Sequence, residues 1–461
     1  MDARIDASSR TPRQERYGTP VRLTDAQMQH YLTEGFVVLQ SQVPPEVHEH
    51  IRNRCEEIFE TTGNPGNDIL EMNPVIQLIF TDPVIRGALI SILGEDCFMY
   101  PHRHCHQNVS GTPAQRNHKD SYEDDINVHH HRSRWAMAMY YPQRVTAAMG
   151  PTGITPGSQY FSDPASLADL TEIGVEGDAG TVVIVHYDLW HRALRNDSGR
   201  SRYMLKFLFC RASEPTRPAW DNREVDWKTP GGRKGDAMEP LWDAMWRWNR
   251  GETVYCPVRA DAEPAVEHLV SGPEIMRLRS AYMISPDTMA STSNLFDLWR
   301  YEADDAEQRA RTREYTNPCE HTIGYALGGL GAAGLSVLAT ALASEDWRIR
   351  GCASDVIGDI GLEAQSLAPQ LVARLQDSSA WVRRNATEAL GVLGSGSEEV
   401  TEALGQALGD ADYLVGHNAA LSLRKLGQAT DNTIERLQEM SVHPELYRRK
   451  NALMALEVLL P

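Results

Sequence analysis

No paired-cysteine motif occurs in this chain. Its seven cysteines, Cys55, Cys97, Cys105, Cys210, Cys256, Cys319 and Cys352, are scattered through 461 residues. An odd, dispersed set argues against a disulfide framework and makes reduced thiols and a cytoplasmic location the expectation. Basic residues are in deficit: 45 Lys and Arg stand against 63 Asp and Glu, a net charge of −18. That balance argues against nucleic acid and against an anionic membrane surface as partners. No uninterrupted apolar run reaches membrane-spanning length. Residues 1–20 are polar, lack the apolar core of a signal peptide, and are expected to be a disordered lead-in.

The length calls for two or three domains. Residues 21–211 mix early helices with later strands. Thr24 to Gln27 has the pattern of a capping box, and Pro44-Pro45 suits the start of a second helix running toward Phe59. Four short apolar runs follow, "CFMYPHRH", "WAMAMYYP", "TVVIVHY" and "RYMLKFLFC", punctuated by Gly and Pro, which suggests a barrel or sandwich. Residues 212–312 hold Trp220, Trp227, Trp242, Trp246, Trp248 and Trp299. Their simplest role is to pack a helical extension onto the outside of the strands; the alternative is a lid. Residues 313–461 are repetitive. Ala353, Ala386, Ala419 and Ala452 recur every 33 residues, as do Gly361, Gly394 and Gly427. A helix pair per repeat, with small residues where helices touch, predicts an all-α, HEAT-like solenoid that presents a surface for a possible protein partner.

The chemistry concentrates at His118-Lys119-Asp120 and His191. Residues two apart on an extended segment point the same way, so His118 and Asp120 share a face. Two imidazoles and one carboxylate on one side of a metal leave the other side open, which is the pattern of non-haem Fe(II) oxygenases. A bare H-x-D arises often by chance, so the surroundings decide.

Those surroundings resemble the phytanoyl-CoA dioxygenase family of iron- and 2-oxoglutarate-dependent oxygenases. Four pieces occur in the family's order: "LTDAQMQHYLTEGFVVLQ", "NHKD", "MGPTGITPGSQ" and "GDAGTVVIVHYDLWHRALRNDSGRSR". The resemblance implies an α+β N-terminal domain built on a double-stranded β-helix, or jelly roll. It implies His118, Asp120 and His191 as ligands of Fe(II), with 2-oxoglutarate and O2 as co-substrates. It also implies Arg202, eleven residues after His191, as the anchor of the far carboxylate of 2-oxoglutarate. Arg200 is the near alternative but falls in a turn. His186 is a rival ligand, although the "LWH" context favours His191. An intact carboxylate at Asp120 implies hydroxylation or another oxidation of a small molecule, with release of succinate and CO2, and not halogenation. Two positions depart from the family pattern. Gln159 replaces the His of the "PGSH" turn. Ala193 stands where many relatives have Ser or Thr, so a Thr or Tyr from elsewhere must compensate. His102, His104 and His106 surround the motif, and of these His104 and His106, with Asn108, alternate toward the core. The run His129 to His131 reads most simply as a polar loop. The solenoid is expected to buttress the enzyme or bind a partner and to supply no iron ligand. The alternative reading is a scaffold whose functional part is the solenoid.

Overall fold

Period-two alternation of apolar residues becomes two antiparallel sheets in the computed structural model, which describes residues 18–120, 131–232, 236–252, 254, 264–312 and 317–460. The bulk of the expected lead-in, together with His129, His130 and Cys256, lies outside the described residues. The first helices are α1 (Asp25–Glu34), α2 (Pro45–Thr61), α3 (Ile69–Met72), α4 (Gln77–Thr81) and α5 (Pro83–Leu93), with strand β1 (Phe36–Gln40) after α1. The Thr24 capping box is formed in both directions, and α2 begins at Pro45 as expected. The remaining strands are β2 (Phe98–Asn108), β3 (Trp135–Tyr140), β4 (Thr152–Ile154), β5 (Ile173–Val175), β6 (Thr181–His186), β7 (His191–Ala193) and β8 (Arg202–Cys210). The larger sheet runs β1-β6-β3-β8-β2 and the smaller β5-β4-β7.

Alternation assigns each strand a face. Ala136, Ala138 and Tyr140 of β3, with Leu205 and Phe207 of β8, pack against Met28, Ile51 and Ile85 of the N-terminal helices. Trp135, Met137 and Met139, with Val183 and Leu208, point the other way and meet Ile154 of the smaller sheet. Trp220, Trp242 and Trp246 join the helical side of this core, the latter two from α6 (Glu239–Asn249). Trp242 and Trp246, with Trp220, therefore pack α6 against the domain, whereas Trp299 is buried in the core of the repeats; among the described residues none of the six borders the cavity of the candidate site.

Three helices, α7 (Glu274–Ala281), α8 (Pro286–Ser291) and α9 (Leu295–Thr312), lead into the repeats. These comprise α10 (Thr322–Leu330), α11 (Leu335–Ala341), α12 (Trp347–Ile360), α13 (Ala368–Arg374), α14 (Ala380–Val392), α15 (Glu398–Ala407), α16 (Tyr413–Leu426), α17 (Asp431–Met440) and α18 (Leu446–Leu459). Ala353, Ala386, Ala419 and Ala452 are all fully buried where α12, α14, α16 and α18 stack. At Gly391 the approach is so close that a Cβ would lie 2.6 Å from Ser422 Cα. Asn385 and Asn418 each donate to a carbonyl of the preceding repeat, on Gly351 and Arg384. Arg350 pairs with Asp377, and Arg383, one period on, with Asp410.

One sequence expectation needs correction. Residues Thr322–Ala341 do have the length and mean hydropathy (1.5) of a membrane span. They form α10 and α11 with the turn between them, and Ile323, Leu327 and Leu338 are fully buried in the repeat core. α10, buried on nearly every side, is apolar all round because such packing selects it, while α11 keeps Ser336 and Thr340 exposed.

The repeats fold back onto the strands. Arg134, beside β3, is clamped between Glu214 and Asp359 of α12 at 2.7 and 2.6 Å. Leu421 and Met454 enter the same apolar cluster as Phe98 and Tyr100, and the Arg424 guanidinium lies 4.0 Å over the Phe98 ring.

Candidate metal centre

His118 sits on a short segment that pairs with β7. Its amide and carbonyl exchange hydrogen bonds with those of His191, both at 3.0 Å, so the two imidazoles are held side by side. Their ring centroids are 4.6 Å apart. In each ring Nδ1–H donates to a backbone carbonyl, His118 to Arg116 at 3.0 Å and His191 to Leu189 at 2.9 Å. That fixes both tautomers and turns both Nε2 lone pairs toward Asp120. His118 Nε2 is 3.6 Å from Asp120 Oδ1, and His191 Nε2 is 3.7 Å from Oδ2. One donor atom from each residue lies within 4.8 Å of the others. Two neutral nitrogens and one carboxylate oxygen on one side of a point form a donor set that can hold a divalent ion.

The carboxylate has a further partner that sequence reasoning missed. Lys206 of β8 places its Nζ 2.8 Å from Asp120 Oδ2. Both side chains are almost wholly buried. Burial alone raises a carboxyl pKa, yet Lys206, His191 and His118 outweigh it and hold Asp120 well below the usual carboxylate range. His191 is pushed down to about 4 by its burial, against the pull of Asp120, and stays neutral near pH 7. The missed signal was a lysine inside the otherwise apolar "RYMLKFLFC", since a buried cation requires a partner.

Strands β2 and β8 line a cavity of about 390 Å³ that opens onto this triad. His102, His104, His106 and Asn108 of β2 and Arg202, Met204 and Lys206 of β8 border it, joined by Gln107. Their register sets Asn108 opposite Arg202, His106 opposite Met204, and His104 opposite Lys206. Burial, with the Lys206 charge, lowers the His104 pKa to about 4. Arg202 is almost fully buried, and donates to the Gly150 carbonyl from Nε at 3.1 Å and from Nη2 at 2.7 Å. Gly150 is required there: its φ is +63°, and a Cβ would lie 2.4 Å from the Leu194 carbonyl. Arg200 is exposed, and His186 lies on β6 beside Asp188, apart from the triad. Thr152, paired across the strands with Ala193, brings a hydroxyl to the cavity wall where Ala193 has none. Tyr141 donates its hydroxyl proton to Thr152 Oγ1 at 2.9 Å and accepts from the Thr152 amide at 3.0 Å. Gln159 is buried and donates to the Leu32 carbonyl. His131 is no solvated loop residue: it is buried, 2.7 Å from the Tyr282 hydroxyl, and stacked on Tyr325.

The last wall comes from the repeats. Tyr447 of α18 lines the cavity with its hydroxyl 2.9 Å from His102 Nδ1. Beside it, Lys450 donates to the Asn67 carbonyl at 2.9 Å and pairs with Asp68 at 2.8 Å. The solenoid is thus part of the site's enclosure, which its expected role as a buttress did not include.

Comparison with known proteins supports a two-part chain. Residues 31–204 match the family model of phytanoyl-CoA dioxygenase (PhyH), and residues 368–457 match HEAT repeats. The chain carries a PhyH domain followed by HEAT repeats. No curated protein sequence matches it. Among solved structures, it is similar to the non-heme alpha ketoglutarate dependent carbocyclase SnoK from nogalamycin biosynthesis, at 19% identity and a TM-score of 0.36, over 42% of this chain and 88% of the other. EctD from S. alaskensis, with bound Fe, matches at 15% identity and a TM-score of 0.37, over 44% and 83%. HygX from Streptomyces hygroscopicus, with nickel and 2-oxoglutarate bound, matches at 14% and 0.34, over 41% and 87%.

Proposed function

We propose that this protein is an Fe(II)- and 2-oxoglutarate-dependent dioxygenase that oxidises a small molecule with release of succinate and CO2. The observation that carries the reading is the convergence of His118, Asp120 and His191 on one point of a cavity whose wall also holds a buried guanidinium, Arg202. In this reading the two facing sheets are the halves of a double-stranded β-helix. His118, Asp120 and His191 hold the iron. Iron, 2-oxoglutarate and O2 together supply the oxidising chemistry.

The chain's own residues do the rest. The carbonyls of Arg116 and Leu189 keep both imidazoles in the tautomer that offers Nε2. Lys206 orients Asp120 and keeps it ionised. Arg202, steadied by the Gly150 carbonyl, meets the far carboxylate of 2-oxoglutarate as a fixed cation. The Thr152 hydroxyl serves that carboxylate in place of the one missing at Ala193. Burial around Arg202 and Asp120 excludes water, so each charge acts at low screening.

Two measurements test this. Anaerobic titration of wild-type protein should show one Fe(II) per chain, and His118→Ala, Asp120→Ala or His191→Ala should abolish stoichiometric binding and turnover. Full activity of Asp120→Ala sinks the assignment. Arg202→Ala should raise the KM for 2-oxoglutarate while iron affinity holds, since removing one partner of a buried charge pair costs roughly 2–5 kcal/mol. An unchanged KM there, with a loss in Arg200→Ala, moves the anchor to Arg200.

A further inference from the structure

We propose that the end of the cavity enclosed by β2 and α18 is the compartment for the primary substrate, that it takes a small neutral polyhydroxylated molecule, and that Tyr447 of the last repeat helix is a specificity-determining contact. This rests on the oxygenase reading, which gives the other end to 2-oxoglutarate.

The cavity is elongated along β2. Asn108 and Arg202 mark one end, His102 and Tyr447 the other, and Lys206 with Asp120 lies between them. Six residue steps along the strand separate His102 from Asn108, about 20 Å. With Arg202 committed to a dicarboxylate, the remaining space runs from the triad toward Tyr447.

The chemistry of that space is one-sided. The apolar members of the described lining, Met204 and Ala193, belong to the Arg202 half: Met204 is two residues from Arg202, and Ala193 pairs with Thr152. Toward Tyr447 the described lining is imidazole, amide and phenol, so an acyl chain would bury its methylenes against groups that need hydrogen bonds. Charge is also accounted for. Arg192 is held by Glu172 through two nitrogens, Lys206 by Asp120, and Lys450 by Asp68 and the Asn67 carbonyl. Asp120 is the one carboxylate among the described lining residues, and it belongs to the metal. Among the described lining residues on that side, neither an anionic nor a cationic substrate finds an opposite charge outside these pairs. What remains is a set of neutral donors and acceptors, and a hydroxyl group does both. Several hydroxyls on one small frame can join the hydrogen bonds already made there, between His102 Nδ1 and the Tyr447 hydroxyl, between His104 Nε2 and Asn64, and from the Arg103 amide to Asn67 Oδ1.

Tyr447 is placed to select. Its hydroxyl is 2.9 Å from His102 Nδ1, its ring lies 5.7 Å from that of His417, and the neighbouring Lys450 ties α18 to the loop that carries Asn67. The repeats therefore set the depth of the compartment.

The test uses full-length protein loaded with Ni(II) and 2-oxoglutarate, with binding read by calorimetry. Three probe sets are compared: methyl glycosides, myo-inositol and nucleosides; sugar phosphates and amino acids; and octanoyl-CoA and decanoyl-CoA. The expected result is binding within the first set, with the same compound raising succinate formation by the iron-loaded enzyme. Tyr447→Phe should weaken that binding roughly three- to tenfold, the size of one neutral hydrogen bond. His102→Ala should weaken it as well, while Tyr301→Phe, exposed and remote, should match wild type. Preference for the charged or acyl set overturns the proposal, as does failure of every neutral probe to bind, or an unaltered Kd in Tyr447→Phe. Failure of the oxygenase reading is separable: it shows as loss of specific Fe(II) binding to the triad, whereas the probe affinities remain measurable on metal-free protein.

Discussion

Asp120 is the residue on which the site's electrostatics turn. It is buried, and in the absence of metal its charge is met by Lys206 at 2.8 Å. Removing one partner of a buried pair leaves an uncompensated charge. Lys206→Met should therefore lower the stability of metal-free protein by roughly 3–5 kcal/mol. Added Ni(II) should restore part of this loss, because the ion supplies the countercharge; melting temperatures with and without Ni(II) measure both effects. Acid should act in the same direction. His191 is held at about 4 when folded, against 6.5 ordinarily, so the unfolded chain takes up a proton first as the pH falls. Metal-free stability should be fully present near pH 7 and decline between pH 6.5 and 4, by about 3 kcal/mol from this group. Asp120, also depressed, adds a loss below its ordinary 3.8. Urea melts across that range check the slope, and a flat profile contradicts it. The triad was legible because its ligand types and local text are specific. Lys206, Thr152 and Tyr447 were not, because each reaches the site only through strand register or repeat packing, which no local motif encodes.

At the scale of elements, two periods carried most of the architecture. Strand β8 shows the first: Arg202, Met204, Lys206 and Leu208 face inward, and Tyr203, Leu205 and Phe207 face the helices. The 33-residue period is the second, and its small residues mark where layers touch. Ala386 is fully buried between α12 and α16 neighbours, so Ala386→Leu has no room without displacing a layer. Overpacking of this kind costs ~1–3 kcal/mol. Denaturant unfolding of full-length Ala386→Leu should show that loss, and an unchanged midpoint would mean that the layer tolerates a larger side chain. What the periods left unread was the apolar stretch 322–341, where burial and membrane insertion favour the same composition.

At the scale of the whole molecule, the sequence text separates an oxygenase-like half from a repeat half, and the structure joins them. Arg134 needs Asp359 as well as Glu214; Phe98 and Tyr100 share a cluster with Leu421 and Met454; Tyr447 and Lys450 close the site. Such contacts are long in sequence and local in space, which is why linear reading assigned the repeats a separate role. They also couple the stability of the two parts. A chain ending at Thr312 would expose the apolar cluster at Phe98 and leave Arg134 short of one of its two carboxylates. That truncation should therefore unfold at a lower temperature than the full chain and should bind 2-oxoglutarate and Fe(II) in an opened cavity with faster exchange. The full-length protein should in turn melt in one cooperative calorimetric transition, since neither part keeps its buried contacts without the other. Two well-separated transitions, together with a truncated protein that matches the full chain in melting temperature and in 2-oxoglutarate turnover, would show that the contacts contribute nothing and that the repeats stand apart from the chemistry.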